Sequence, residues 1–332
     1  MSADATFDVV GIGNAIVDVI ARAEDDFLVS HGLHKGAMTL VEEAKALNLY
    51  EAMGAATIAS GGSAANTIAG VASLGGKAAY IGKVRDDEIG HAFRHDIKAA
   101  GVHFDTQPSS AGPSTARCMI VVTPDGERTM STYLGACVGL GPEDVDEKLI
   151  ADARILYFEG YLWDPPRAKE AFRRAAAVAH AAGRKTAITL SDSFCVDRYR
   201  DEFLDLIRKG LVDILFANES ELHALYQTAD FDTAVMALSD EKCLAFITRS
   251  ADGCVIVDHG AVQSVPAASI EKLIDTTGAG DLFAAGALYG LARNMPLARC
   301  AAIGALAAAE VIQHFGARPE ISLAQLVEQS LR

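Results

Sequence analysis

The segment Asp275-Thr276-Thr277-Gly278-Ala279-Gly280-Asp281 has the residue types of a phosphate-handling loop. It follows a strand-like approach and opens an apolar helix. Small residues at 278–280 let the backbone approach a ligand with no side chain in the way. Their N–H groups, at the positive end of a helix, can face an anion. Asp281 sits beside that cradle at the helix start. A carboxylate there can accept the proton of a substrate hydroxyl while the backbone stabilises charge on a transferring phosphoryl group. Read alone, the same residues equally describe a glycine-rich turn whose Asp caps a helix.

Such a loop needs a scaffold, and the composition supplies one. Half of the 332 residues are apolar and 22% are charged, which provides a sizeable core. The formal net charge is −15 with no run of Lys and Arg, so a nucleic-acid partner is not expected. An anionic substrate would then rely on backbone N–H groups rather than on bulk charge. Six cysteines are scattered singly without a Cys-x-x-Cys pair, which points to neither a zinc site nor a redox motif and fits a reducing cytoplasmic setting. The N-terminal residues lack the pattern of a signal peptide. The apolar stretch 301–312 contains Glu310 and is too short to span a bilayer.

The hydrophobic pattern alternates between strands and helices. A buried strand over 7–12 meets a turn at Gly11-Ile12-Gly13-Asn14, and short strands are expected at 17–21 and 37–41. Helical spacing runs over 63–74 and 88–100, with a strand between them at 78–84. Pro124-Asp125-Gly126-Glu127 between the apolar runs 115–123 and 128–134 is a hairpin signal. Past Pro142 strands are expected at 155–158, 186–190, 214–217 and 245–248. Helices are expected at 166–182, 200–209, 219–226, 281–293 and 297–313. The pattern predicts a three-layer α/β/α domain with a mostly parallel sheet and a small β-sheet lid. The expected division is 1–14, 43–102 and 136–332 for the large domain, and 15–42 and 103–135 for the lid.

Three other signals fail on inspection. Gly11-x-Gly13 lacks the third glycine of a dinucleotide fingerprint, because position 16 is Ile16. Gly82-Lys83 lacks the first glycine and the Ser or Thr of a P-loop. His91 and His95 lie one helical turn apart without the His-Glu-x-x-His pattern.

Asp275–Asp281 is similar to the C-terminal signature of the ribokinase-like, or PfkB, carbohydrate and nucleoside kinases. Gly61-Gly62-Ser63-Ala64-Ala65-Asn66 resembles that family's N-terminal Gly-Gly-x-x-x-Asn segment, and Asn218-Glu219-Ser220-Glu221 its Asn-x-x-Glu element. The three stand in family order, and the similarity covers essentially the whole chain. Gly13-Asn14-Ala15-Ile16-Val17-Asp18, the run Val212–Glu219, Thr189-Leu190-Ser191 and Gly135-Ala136-Cys137 resemble the adenosine-kinase branch.

The resemblance implies transfer of phosphate from ATP to the 5′-hydroxyl of a nucleoside, adenosine first, with a sugar such as ribose, fructose or a deoxy-gluconate as the alternative. It implies that Asp281 is the base and that Gly278, Ala279 and Gly280 form the anion hole. Asp18 would hold the ribose hydroxyls, Gly62 and Asn66 would contact the ribose, and Asn14 would lie near the base. Asn218 and Glu221 would order Mg²⁺ and its waters, and Thr248 and Gly253 would lie on the ATP side with Gly280. Asp275, Thr277, Val311, His314 and Gly316 match a backbone-carbonyl site for a monovalent cation such as K⁺. Arg117 and Arg128 on the lid strands are either phosphate-approaching or solvated. Tyr161 and Trp163 are either base-pocket or core residues. The oligomeric state, monomer or homodimer, stays open.

Overall fold

The computed structural model describes residues 5–331. Its strands are β1 (Phe7–Ile12), β2 (Ile16–Arg22), β3 (Met38–Leu40), β4 (Thr57–Gly61), β5 (Ala78–Ile81), β6 (Ala116–Val122), β7 (Arg128–Tyr133), β8 (Ala153–Glu159), β9 (Lys185–Thr189), β10 (Ile214–Asn218), β11 (Leu244–Thr248), β12 (Cys254–Asp258) and β13 (Ala261–Val265). Eight form one sheet in the order β13-β12-β11-β10-β9-β8-β1-β5, and five form a second in the order β3-β7-β6-β2-β4.

In the large sheet every pairing from β5 to β11 is parallel, and only β12 and β13 run antiparallel. The reversal follows from connection length, because the short 249–253 link cannot make the crossover that a parallel pair requires. His259 and Gly260 then close the β12–β13 hairpin, both with positive φ. Along β8, Ile155 and Tyr157 enter the core on one face while Leu156 and Phe158 enter the core on the other. Two-sided burial explains why these strands read as continuous apolar runs.

Helices Ser63–Ser73, Glu88–Ala99, Ala279–Ala292 and Leu297–Val311 cover the first face. Pro166–Ala181, Ser193–Arg208, Glu219–Tyr226 and Phe231–Ser239 cover the second. The helix expected to begin at Arg200 begins at Ser193 and carries a non-helical residue at Tyr199, so the sequence pattern captured its regular second half.

The small sheet has two different faces. Ile16, Ile20, Cys118, Ile120 and Val122 face one way with Met130 beside them. Val19, Ala21, Met119 and Val121 face the other, against Leu28 of helix Asp25–Ser30, Leu49 of helix Glu43–Ala52 and Met53 just beyond it.

Two boundaries differ from the sequence expectation. β4, within the stretch assigned to the large domain, pairs antiparallel with β2 in the small sheet. Its residues Thr-Ile-Ala-Ser-Gly carry no apolar alternation that would announce a strand. Residues 103–109, expected in the lid, instead run along the free edge of the large sheet, where His103 bridges Ala79 and Ser109 bridges Arg85. An edge strand leaves backbone groups to be paired, and this return segment pairs some of them.

Candidate active site

The parallel strands end on one side of the sheet, where ligand crevices of open α/β sheets form. β1 delivers Asn14, β8 delivers Glu159, β10 delivers Asn218 and β11 delivers Thr248. The small sheet lies over them, and the cleft between measures about 890 Å³. Asn14, Asp18, Gly62, Asn66, Asn218, Glu221, Thr248, Gly253 and the loop 276–281 all line it. The expected substrate, ATP-side and anion-loop residues are thus brought to one place.

Asp281 does not cap its own helix. The helix begins at Ala279 with Gly278 as its cap, and Asp281 is its third residue. Its Oδ1 accepts a hydrogen bond from Ser63 Oγ at 2.7 Å and its Oδ2 one from Asn66 Nδ2 at 2.9 Å. These partners lie more than two hundred residues upstream, on the helix that follows Gly62. Burial pushes the Asp281 carboxyl above its ordinary pKa, while the Ser63 and Asn66 hydrogen bonds and the charges of Arg128 and Arg318 pull it back.

Gly278 adopts φ 80°, and a Cβ there would stand 2.8 Å from Ala317. A larger residue would force the loop open. Asp275 closes the same loop from below. Its buried Oδ1 accepts from Thr277 N at 2.9 Å and from Thr277 Oγ1, and its Oδ2 accepts from Gly316 N at 3.0 Å. The contact among Asp275, Thr277 and Gly316 therefore runs through a carboxylate, which gives these residues a structural task whether or not a cation binds beside them. Val311 is buried, and His314 Nε2 lies 3.2 Å from Glu310 Oε1.

One part of the cavity wall is built from polar groups that the protein leaves short of partners. Asp18 is 8% exposed, lines the cavity and accepts no hydrogen bond within the described residues. Burial pushes its pKa up to about 7 against the opposing charge of Arg318. Asn14 Oδ1 and Asn66 Oδ1 are buried without a donor. Gly62 turns the chain at φ 91°, and any Cβ there would collide with the Asn14 carbonyl.

Asn218 caps the helix that begins at Glu219. Its Oδ1 accepts from Glu221 N at 2.8 Å, while the Glu221 carboxylate accepts from Asn218 N at 3.0 Å and from Asn218 Nδ2 at 2.7 Å. This is a capping box whose acid also borders the cavity. Burial pushes Glu221 up to about 7.

Residue parity separates the two arginines left open by the sequence. Arg128 pairs with Val122 and lines the cavity, held by no hydrogen bond or ion pair. Arg117 shares the parity of Met119 and Val121, on the face turned toward the covering helices. Tyr161 lines the cavity, whereas Trp163 is fully buried against Phe172 and Phe203 and donates Nε1 to Glu202. His91 and His95 are solvated, and Lys83 pairs with Asp144.

Sequence reasoning missed Glu159, Ser63 and Arg318. Glu159 is 1% exposed; its Oε1 accepts from Asn14 N and Nδ2, and its Oε2 from Ala64 N at 2.8 Å. It thereby ties the end of β1 to the start of the Ser63–Ser73 helix. Burial raises it to about 7. A charged residue closing the apolar run Ile155–Phe158 was the available signal. Arg318 gave none, since it lies in a loop beyond the last motif.

All six cysteines are buried and unpaired. No helix among the described residues is long and apolar enough to cross a membrane.

Comparison with known proteins identifies the family and the fold. A match to the pfkB family carbohydrate kinases spans residues 9–323. The crystal structure of adenosine kinase from Sinorhizobium meliloti is 57% identical, with a TM-score of 0.96 over 98% of this chain and 100% of that one. A probable sugar kinase from Rhizobium etli CFN 42 is 55% identical, also at 0.96, over 98% and 99% of the two chains. Adenosine kinase 2 of Arabidopsis thaliana is 26% identical over 345 residues, covering 95% of this chain and 97% of the relative.

Proposed function

We propose an acceptor and a mechanism for this chain, which belongs to the pfkB carbohydrate kinase family: it transfers the γ-phosphoryl group of ATP to the 5′-hydroxyl of a nucleoside, adenosine foremost. The observation that carries the reading is the set of donor-poor acceptors, the Asp18 carboxylate, Asn14 Oδ1 and Asn66 Oδ1, in one cavity with Asp281. Buried acceptors without donors are costly unless a ligand supplies them. Neighbouring ribose hydroxyls do so, with Asp18 able to take two. The lid face around Asp18 is largely apolar, with Ile16, Cys118, Ile120, Met130 and Leu134 lining the cavity beside Thr132 and Arg128. A flat purine covers such a surface; a free sugar would leave it wet.

With the 5′-hydroxyl next to Asp281, the carboxylate takes its proton as the oxygen attacks the γ-phosphorus and ADP departs. The N–H groups of the 278–280 turn stabilise the charge spreading over the phosphoryl oxygens. Among the described residues no three His, Cys, Asp or Glu side chains are set to cage a metal, and both Glu221 oxygens already accept from Asn218. The residues present thus fit an ion held through water on the triphosphate. Asn218 and Glu221 would order the waters of a Mg²⁺ ion, which would supply charge neutralisation at the phosphates. Thr248 and Gly253 lie on the ATP side of the loop.

Arg128 completes the proposal by meeting the triphosphate as the lid closes. A charge-assisted bond that is strongest in the transition state is worth about 2 kcal/mol. Arg128→Ala should therefore lower kcat about 30-fold and leave the acceptor KM within a few-fold. A loss under 3-fold in steady-state assays would remove Arg128 from the mechanism.

The test of function is ADP release over a panel of nucleosides and sugars. Adenosine should exceed ribose, fructose and 2-keto-3-deoxygluconate in kcat/KM by about 100-fold or more. A preference for a free sugar would overturn the nucleoside reading and leave phosphoryl transfer standing.

A further inference from the structure

Residues 315–318 form a short strap that touches the lid, the 275–278 loop and the turn before the Ser63–Ser73 helix. Phe315 packs against the cleft-facing lid cluster, with the Arg22 guanidinium 4.0 Å over its ring. Gly316 N donates to Asp275 at the base of the anion loop. Ala317 is the residue a Cβ at Gly278 would strike. Arg318 then reaches inward. Its Nη1 donates to Ala65 O at 2.8 Å, its Nε to Ser60 O at 3.1 Å and its Nη2 to Ser60 Oγ at 3.3 Å.

These two carbonyls, of Ser60 and Ala65, bracket the turn that contains Gly62 and Ser63 and leads directly into Asn66. One guanidinium fork thus holds both ends of the turn that presents the acceptor contacts and the two hydrogen-bond donors of Asp281. No carboxylate lies within ion-pair distance of Arg318 among the described residues. Its charge acts chiefly on Asp18 and Asp281, and it does not line the cavity.

We infer that Arg318 is a positioning residue for phosphoryl transfer, fixing the 60–65 turn through its fork and supplying a resident positive charge that acts on both Asp18 and Asp281. Burial lowers the guanidinium to about 10, still charged at neutral pH, with Asp18 and Asp281 the largest opposing influences and Tyr80 and Asp96 behind them. Asp18 is also faced by Arg128, Asp275 and the Cys118 thiol. Asp281 is faced by Arg128 from the lid, Tyr157 and Glu159 from β8, and Glu221 from the helix after β10. Arg128 is the only other cation in that set, and it rides on the lid. Lysine can replace the charge of Arg318 but not its planar fork.

The catalytic part of this inference rests on the function proposed above, so its test carries one arm that needs no substrate. In the ligand-free protein, Arg318→Met should steepen the fall of the thermal midpoint between pH 5 and 8.5 relative to wild type. The buried carboxylates then ionise with less compensation. In the second arm, with whichever acceptor the wild type uses, Arg318→Met should move the acid limb of kcat/KM up by about one pH unit. It should also lose up to about 10-fold at pH 7, most of it recovered above pH 8.5. Arg318→Lys should keep the limb in place and raise the acceptor KM about 5-fold or more while leaving the ATP KM unchanged. Parallel melting curves for Arg318→Met and wild type would overturn the charge role. An equal rise of both KM values in Arg318→Lys would reduce Arg318 to a general scaffold. Should Arg318→Met fail to fold, the lysine variant decides alone.

Discussion

Asp281→Asn will lower kcat by about 10³-fold, within the range that loss of a positioned general base produces, and leave ATP and acceptor affinities within a few-fold. The expectation rests on position. Asp281 stands at the start of the helix whose first N–H groups form the anion cradle, and its two oxygens are oriented by Ser63 and Asn66. Those hydrogen bonds aim the carboxylate without neutralising it. Its pH behaviour follows from burial, which raises its pKa above the ordinary carboxylate value. The base works only when ionised, so wild-type kcat/KM must fall as pH drops through that raised pKa, at higher pH than a solvated aspartate would allow. In the asparagine variant that limb should vanish from the residual rate. Steady-state ADP release from pH 5 to 9, with calorimetric binding at pH 7.5, checks both claims. Retention of more than a tenth of wild-type kcat would assign the proton to another group.

Asp18→Asn will separate stability from function. Asp18 is buried with no protein donor, and its pKa stands at about 7. For a carboxyl whose folded pKa is raised, the sign is fixed by linkage. Stability is greatest below the unfolded pKa near 4 and declines as pH rises through about 7, where the folded protein must carry a desolvated charge. Neutralising the group should thus stabilise the ligand-free protein above pH 7 by of the order of 2 kcal/mol, a rise in Tm of about 4 °C. At pH 5 the difference should shrink. The same change should cost about 10²–10³-fold in kcat/KM, carried mainly by the acceptor KM, because the ribose hydroxyls lose a charged acceptor. An apo Tm at pH 8 that falls in the variant would show that Asp18 has structural donors. Unchanged acceptor KM would move the ribose site elsewhere.

Glu159 shows why a raised pKa does not by itself predict such a gain. It too sits near 7, but its oxygens receive three hydrogen bonds from Asn14 and Ala64. Glutamine there would turn an amide N–H₂ toward a donor, so relief of charge is offset by a broken contact.

The chain order of strands and helices was legible because two-sided burial writes apolar runs and helix faces write 3.6-residue spacing. The anion loop was legible because a backbone that meets a phosphate must be made of small residues, and those cluster at 278–280. Asn218 and Glu221 were legible through their resemblance to the family's Asn-x-x-Glu element, a short local pattern that the structure shows to be a capping box.

What the tertiary structure decided is everything that depends on contact across the chain. Asp281 could have capped its own helix; it bonds to Ser63 and Asn66 instead, because the two helices carrying them pack on the same face of the sheet. Arg117 and Arg128 look alike in sequence, and only the register of β6 and β7 sends one to the covering helices and the other into the cleft. β4 joined the small sheet by pairing with β2 and went unannounced for want of any alternation to read, and Arg318 reached the site from a loop with no pattern at all. Local chemistry, set by spacing along the backbone, is written in the residues. The charge balance and orientation of the site arise where burial brings distant residues together, and spacing carries no record of that.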